Sequence, residues 1–171
     1  MNILNSIHNM DVTTFYWLMA RKHRQLLTRA SRVISMSADG PLYVVLALAA
    51  WSLGFETWAY IIMGGFALER VLYLILKRSF KRNRPADILD DFTSFIRPSD
   101  KFSFPSGHTS GAFFMAYCLS EWFPELYLSF YSWSAMVAMS RIFLGVHFPT
   151  DTAMGALLGT TCAMVSFGVL T

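Results

Sequence analysis

Charge is what this sequence lacks most. Lysine, arginine, aspartate and glutamate together make up 15% of its 171 residues, where a soluble globular domain carries about 25%. With 54% hydrophobic residues and a mean hydropathy of +0.42, an ordinary water-soluble domain is excluded. Cysteine is nearly missing as well. Cys118 and Cys162 both lie inside apolar runs without zinc or redox spacing, so each reads as a small packing residue. There is no tandem repeat, no low-complexity segment and no recognisable metal motif. The first ten residues, MNILNSIHNM, lack a charged n-region and an apolar h-region, so no cleavable signal peptide is expected and the helices themselves must direct insertion.

What is present is apolar sequence in long runs. A bilayer core of about 30 Å needs roughly 20 residues at 1.5 Å rise. Five runs qualify once interfacial flanks are counted: 40–56, 57–76, 107–123, 126–144 and 150–170. Asp39 before Gly40-Pro41 reads as an N-cap followed by proline in the first turn. Short turns at 55–57 and 122–125 imply antiparallel neighbours in a bundle. Gly107 with Gly111, and Gly155 with Gly159, are small-xxx-small pairs that let helix backbones approach. Before these runs, residues 11–35 place Val12, Phe15, Tyr16, Met19, Leu26, Leu27, Ala30, Val33 and Ile34 on one helical stripe. Arg21, Lys22, Arg24, Arg29 and Arg32 supply five cations in twelve residues, which predicts a basic amphipathic helix lying in the membrane interface. The expected fold is therefore all-α: one integral membrane domain over 1–171, with the amphipathic helix at 11–35 and a bundle of about five transmembrane helices over 40–171.

The zigzag of five spans has a chemical consequence. If 57–76 crosses one way, then Lys77, the long connection 77–106 and His108 share one membrane face. The third span crosses away and the fourth returns, so Arg141, His147 and Asp151 reach that same face. A connection this long is usually functional when patterned. Lys77, Arg84 and Arg141, together with Ser106 and Gly107 at a helix N-terminus, describe an anion site. The natural guest is phosphate. Two histidines beside it suggest one nucleophile and one proton donor. His147 and Asp151 are spaced i, i+4, so the carboxylate can reach back to one ring nitrogen and fix the tautomer.

These residues form three motifs: Lys77-x6-Arg84-Pro85, Pro105-Ser106-Gly107-His108 and Ser140-Arg141-x5-His147-x3-Asp151. With 19 residues between the first and second and 31 between the second and third, the chain resembles the type-2 phosphatidic acid phosphatase family of integral membrane phosphatases. The resemblance covers 77–151 in detail and the helical layout more loosely. It implies that His147 attacks phosphorus to give a phosphohistidine while Asp151 holds its ring. His108 then protonates the leaving group and afterwards activates water. Lys77, Arg84, Arg141, Ser106 and the Gly107 amide would bind the phosphoryl oxygens, with no metal and no cofactor. The family usually has six spans, and here the basic amphipathic segment stands in place of the first.

Other charged residues have blander readings. Arg78, Lys81 and Arg82 read as a juxtamembrane cluster drawn to anionic lipid, and Asp87, Asp90 and Asp91 as a solvated loop face rather than a magnesium site. Glu69 and Arg70 lie within a span, where ionisable groups are costly. Arg70 either lines the deeper wall of the site or forms a buried ion pair.

The expected function is a lipid phosphate or diphosphate phosphatase, with undecaprenyl pyrophosphate, phosphatidylglycerol phosphate, phosphatidic acid or another polyprenyl phosphate as substrate. A phosphotransferase of the same chemistry and an anion transporter are the alternatives. The related vanadate-dependent haloperoxidases share the anion-site logic but are soluble. The expected partners are the lipid substrate and the bilayer, with no nucleic acid and no oligomeric state read from the chain. Every Lys and Arg but Arg70 maps to the site face, which by the positive-inside rule is cytoplasmic. Bacterial relatives commonly act on the outer leaflet, and the expected location is the bacterial inner membrane with the site on the periplasmic face.

Overall fold

The computed structural model describes residues 3–98 and 100–170. Among them only helices and irregular turns occur. In chain order these are α1 (Ile3–Met19), α2 (Arg24–Met36), α3 (Gly40–Ser52), α4 (Glu56–Phe80), the short α5 (Pro85–Ile88), α6 (Gly107–Trp122), a 3₁₀ turn (Pro124–Leu126), α7 (Tyr127–Phe143) and α8 (Pro149–Leu170). Helix α6 sits at the centre. It packs on α8 and α7, α4 closes on α8, α2 lies along α7, and α3 along α4.

Burial follows one stripe on α3 and α4, whereas central α6 is buried on most sides from Thr109 to Cys118. On α3, Tyr43, Ala47 and Ala50 are buried while Val44, Val45, Leu48 and Trp51 are exposed. An apolar surface of this kind is what lipid, not water, accepts. On α4 the buried stripe runs Ile62, Gly65, Glu69, Tyr73, Lys77 and so turns from apolar to ionic as the helix leaves the bundle. One core gathers Ile61, Phe114, Met115 and both cysteines between α4, α6 and α8. A second, of Phe15, Met19, Leu89, Phe92, Ile142 and Phe148, lies beneath α1.

The seam between α6 and α8 depends on glycine. A Cβ on Gly155 would lie 2.6 Å from the Ser106 carbonyl oxygen, and one on Gly159 would collide with the backbone of Ser110 and Phe114. The small-residue spacing in the last span is thus matched by a close approach of backbones.

Two sequence expectations change. The single amphipathic helix at 11–35 is two helices, broken at residues 20–23 where His23 adopts a left-handed conformation with φ 63°. Helix α1 covers the second core with Phe15 and Met19, and after the break α2 runs along α7. The predicted N-cap, Asp39, has capping backbone angles but no side-chain capping bond. Three helical stretches, 24–52, 56–88 and 149–170, are long and apolar enough to cross a bilayer. Helices α6 and α7, of 16 and 17 residues, span about 24–26 Å.

Candidate active site

The ends of α4, α6 and α7 and the loop before α8 meet around a cavity of about 450 Å³. Lys77, Arg84, Gly107, His108, Arg141 and His147 all line it. These residues reach the cavity where apolar runs begin or end: Lys77 lies one turn from the end of α4, Gly107 and His108 open α6, and Arg141 lies in the last turn of α7. Of the predicted site residues, Ser106 and Asp151 stand one layer back. Ser106 is fully buried, with Oγ 3.0 Å from Thr109 Oγ1, and its amide donates to the Asp151 carbonyl at 3.0 Å. That bond ties the start of α6 to the start of α8.

Asp151 is also fully buried. Its Oδ2 accepts from the Phe148 amide at 2.8 Å and lies 3.8 Å from His147 Nδ1, an ion-pair distance too long for a hydrogen bond. His147 Nδ1 and Arg141 Nε are buried without a hydrogen-bond partner. An unpaired buried guanidinium nitrogen at a cavity wall is costly unless an anion meets it. Burial, aided by the charges of Arg141 and Arg84, pushes the His147 imidazole down to about 4 against the pull of Asp151. It is therefore neutral at pH 7, with a lone pair free.

Several residues at the site carry no motif. Asp100, in the long connection, accepts from Tyr73 Oη at 2.6 Å and Lys77 Nζ at 2.7 Å through Oδ2, and from Arg84 through Oδ1. Burial alone would raise its carboxyl, but the bonds from Lys77 and Tyr73 and the charges of Lys77 and Arg84 hold it at about 2. A carboxylate thus occupies the cation pair that the sequence assigns to phosphate. Tyr73 is detectable in retrospect as the residue one turn before Lys77 on the same helix face; nothing in the sequence separates Asp100 from the loop's other aspartates.

Arg82 departs from its lipid-facing reading. Its Nη1 donates to Asp151 Oδ1 and to Thr150 Oγ1 at 2.8 Å each, and its Nη2 to Asp11 Oδ2 at 2.6 Å. Asp11, buried on α1, also accepts from the Thr150 amide at 3.0 Å. The amphipathic segment is thereby bonded to the start of α8. From α2, Ser35 Oγ accepts from Arg141 Nη1 at 2.5 Å. Arg70 fulfils both of its readings. It pairs with buried Glu69 through Nε at 2.5 Å and Nη2 at 2.7 Å, and it lines the cavity. Asp87, Asp90 and Asp91 do not converge. Among the described residues no group of three or more His, Cys, Asp or Glu is placed to hold a metal ion.

An all-helical membrane fold whose helix ends carry a cationic, histidine-bearing cavity defines a class of anion-handling membrane proteins. Within it, the sequence profile of the PAP2 superfamily matches residues 58–171, and the chain belongs to that superfamily. It is 37% identical over 91 residues to the lipid A 1-phosphatase of Rhizobium etli, an alignment covering 50% of this chain and 38% of that protein. It is 35% identical over 116 residues to the phosphatidylglycerophosphatase B of Bacillus subtilis, covering 61% and 54%. The chain thus matches about two-fifths to one-half of the length of these relatives. The crystal structure of LpxE from Aquifex aeolicus superposes with a TM-score of 0.81 at 29% identity, over 92% of this chain and 94% of that one.

Proposed function

We propose that the protein is a metal-independent, cofactor-independent phosphatase of membrane lipid phosphates or diphosphates. The observation that carries this reading is the convergence of Lys77, Arg84, Arg141, His108 and His147 on one cavity. His147 Nε2, the ring nitrogen left free when Nδ1 faces Asp151, attacks phosphorus. A P–N bond forms as the P–O bond to the lipid breaks, and the leaving oxygen takes a proton from His108. Water, deprotonated by His108, then displaces His147 and releases phosphate. Lys77, Arg84, Arg141 and the Gly107 amide neutralise the phosphoryl oxygens, with Ser106 holding the turn that presents that amide. Asp151 keeps the His147 ring in place.

Lipid substrates suit a cavity at the ends of membrane helices, where a head group can reach the cations while its tail stays in the bilayer. Undecaprenyl pyrophosphate, phosphatidylglycerol phosphate and phosphatidic acid all offer the required terminal phosphate. The relatives named above act, by their names, on lipid phosphates. We take α6 and α7 as crossings too, with their interfacial flanks, because α6 is enclosed by α7 and α8. That makes five spans in a single domain. We assign the site to the periplasmic face of a bacterial inner membrane. Lys77, Arg82 and Arg84 are held by Asp100, Asp11 and Asp151, so they are poor witnesses for the positive-inside rule. Labelling of a cysteine introduced at Ser94 by an impermeant reagent on intact cells tests this, and protection until lysis would reverse the assignment.

The central test is phosphate release by purified protein in detergent with EDTA present. His147→Ala is expected to fold and to be inactive. Wild-type turnover in that variant would remove His147 as nucleophile.

A further inference from the structure

Asp39 begins α3 with the backbone of an N-cap residue, φ −73° and ψ 136°, and its carbonyl accepts from the Leu42 amide at 3.1 Å. A capping side chain is worth about 1 kcal/mol to a helix, yet the Asp39 carboxylate makes no capping bond. It turns instead toward α6, where Oδ1 lies 3.0 Å from His108 Nε2 across 69 residues of sequence. The pair lies at the cavity mouth, with the His108 side chain 29% and the Asp39 side chain 51% exposed. A pair this exposed contributes little to stability, so stability does not account for the forgone cap. Both residues line the cavity beside Arg141.

We propose that Asp39 is the positioning carboxylate of the proton donor. This rests on the role given to His108 above. Each cavity histidine then has a carboxylate beside it: Asp39 hydrogen-bonded to His108 on the cavity wall, and Asp151 3.8 Å from His147 one layer back. With Nε2–H donated to Asp39, the tautomer of His108 is fixed and Nδ1 is the nitrogen that exchanges protons. As imidazolium it donates from Nδ1 to the leaving oxygen. As neutral imidazole it takes a proton from water at the same atom, while Nε2–H stays bonded to Asp39 in both half-reactions. Arg141 and Arg70 also border the cavity beside this pair.

The test compares two leaving groups in detergent with EDTA. Phosphatidic acid expels an alkoxide, which needs the proton, whereas p-nitrophenyl phosphate expels a phenolate that leaves without one. Asp39→Asn is expected to lower kcat on phosphatidic acid by about 10- to 100-fold, the lower part of the range that general acid catalysis supplies. The loss on p-nitrophenyl phosphate should be at least about tenfold smaller. Asp39→Ser, which retains a capping oxygen, should behave like Asp39→Asn, and Asp39→Glu should recover part of the rate. The Asp39→Asn/His108→Gln double variant should be no slower than His108→Gln alone, because the two side chains act as one unit. Equal losses on both substrates, or losses that add in the double variant, would overturn the proposal. If His108→Gln itself shows no leaving-group discrimination, the donor assignment fails and the role of Asp39 with it. If His108→Gln discriminates and Asp39→Asn does not, the donor stands and only Asp39 is wrong. Thermal midpoints measured alongside separate slow variants from unfolded ones.

Discussion

Arg82→Gln is the perturbation with the most to say about how the site is held. Arg82 bridges two fully buried carboxylates, Asp11 and Asp151, while its own side chain is 20% exposed. Removing one partner of a buried ion pair costs about 3–5 kcal/mol, because a charge is left behind uncompensated. The partial exposure of Arg82 and the one donor that glutamine keeps argue for the low end, about 3 kcal/mol. Asp151 retains the Phe148 amide and Asp11 the Thr150 amide, so the fold should survive. For a chain of this size that loss lowers the thermal midpoint by about 6–12 °C. Asp11→Asn leaves the Arg82–Asp151 bond in place and should cost about 1 kcal/mol, the worth of one hydrogen bond. Because both changes act on one network, the double variant should lose less than the sum. Turnover should fall in Arg82→Gln by about tenfold, with KM changing less than about threefold, since in the proposed mechanism Asp151 positions His147 without touching substrate. Thermal unfolding in detergent and steady-state phosphate release measure both effects. A midpoint within 2 °C of the parent together with unchanged kcat would refute the reasoning and return Arg82 to the lipid-facing cations.

Asp100→Asn removes the carboxylate that competes for Lys77 and Arg84, so inorganic vanadate should bind about 3- to 10-fold more tightly, the scale of one charge-assisted contact; weaker binding would make Asp100 part of the anion-bound arrangement. Gly159→Ala places a Cβ against the backbone of Ser110 and Phe114 and should cost about 1–3 kcal/mol, whereas Gly168→Ala, with nothing within 4 Å, should be neutral or stabilising by under about 1 kcal/mol; equal midpoints for the two would deny the close seam. His147 has a folded value near 4 against an ordinary 6.5, so between those values the unfolded chain binds the proton and the folded one does not. Stability therefore falls as pH drops from 6.5 to 4, by an amount on the order of 3 kcal/mol, and His147→Gln should flatten that part of the midpoint-versus-pH curve.

The parts of the site legible in the sequence are those at the ends of apolar runs. Lys77, His108, Arg141 and His147 each end or begin a hydrophobic stretch, and all four line one cavity. Local spacing also placed Asp151 beside His147, at 3.8 Å without a hydrogen bond, and marked the close approach at Gly155 and Gly159. What spacing does not carry is the choice of partner between distant charges. Asp11 meets Thr150 across 139 residues and Arg82 meets Asp151 across 69, and no periodicity distinguishes those residues from solvated neighbours. Asp39 shows the same limit from the other side: its place at a helix start was readable, but the direction of its carboxylate depended on where α6 came to rest. The break at residues 20–23 was hidden because the apolar stripe resumes in phase at Leu26, seven residues after Met19.

The bonds that Asp11 accepts from Arg82 and Thr150 tie α1 into the site's supporting network. Helix α1 is fastened, through one carboxylate, to Arg82 and Thr150, which hold Asp151 and the start of α8 beside His147. Deleting it should silence turnover even where the remaining helices still insert. Fusion partners that pull on that end should slow the reaction without touching the chamber in which it takes place.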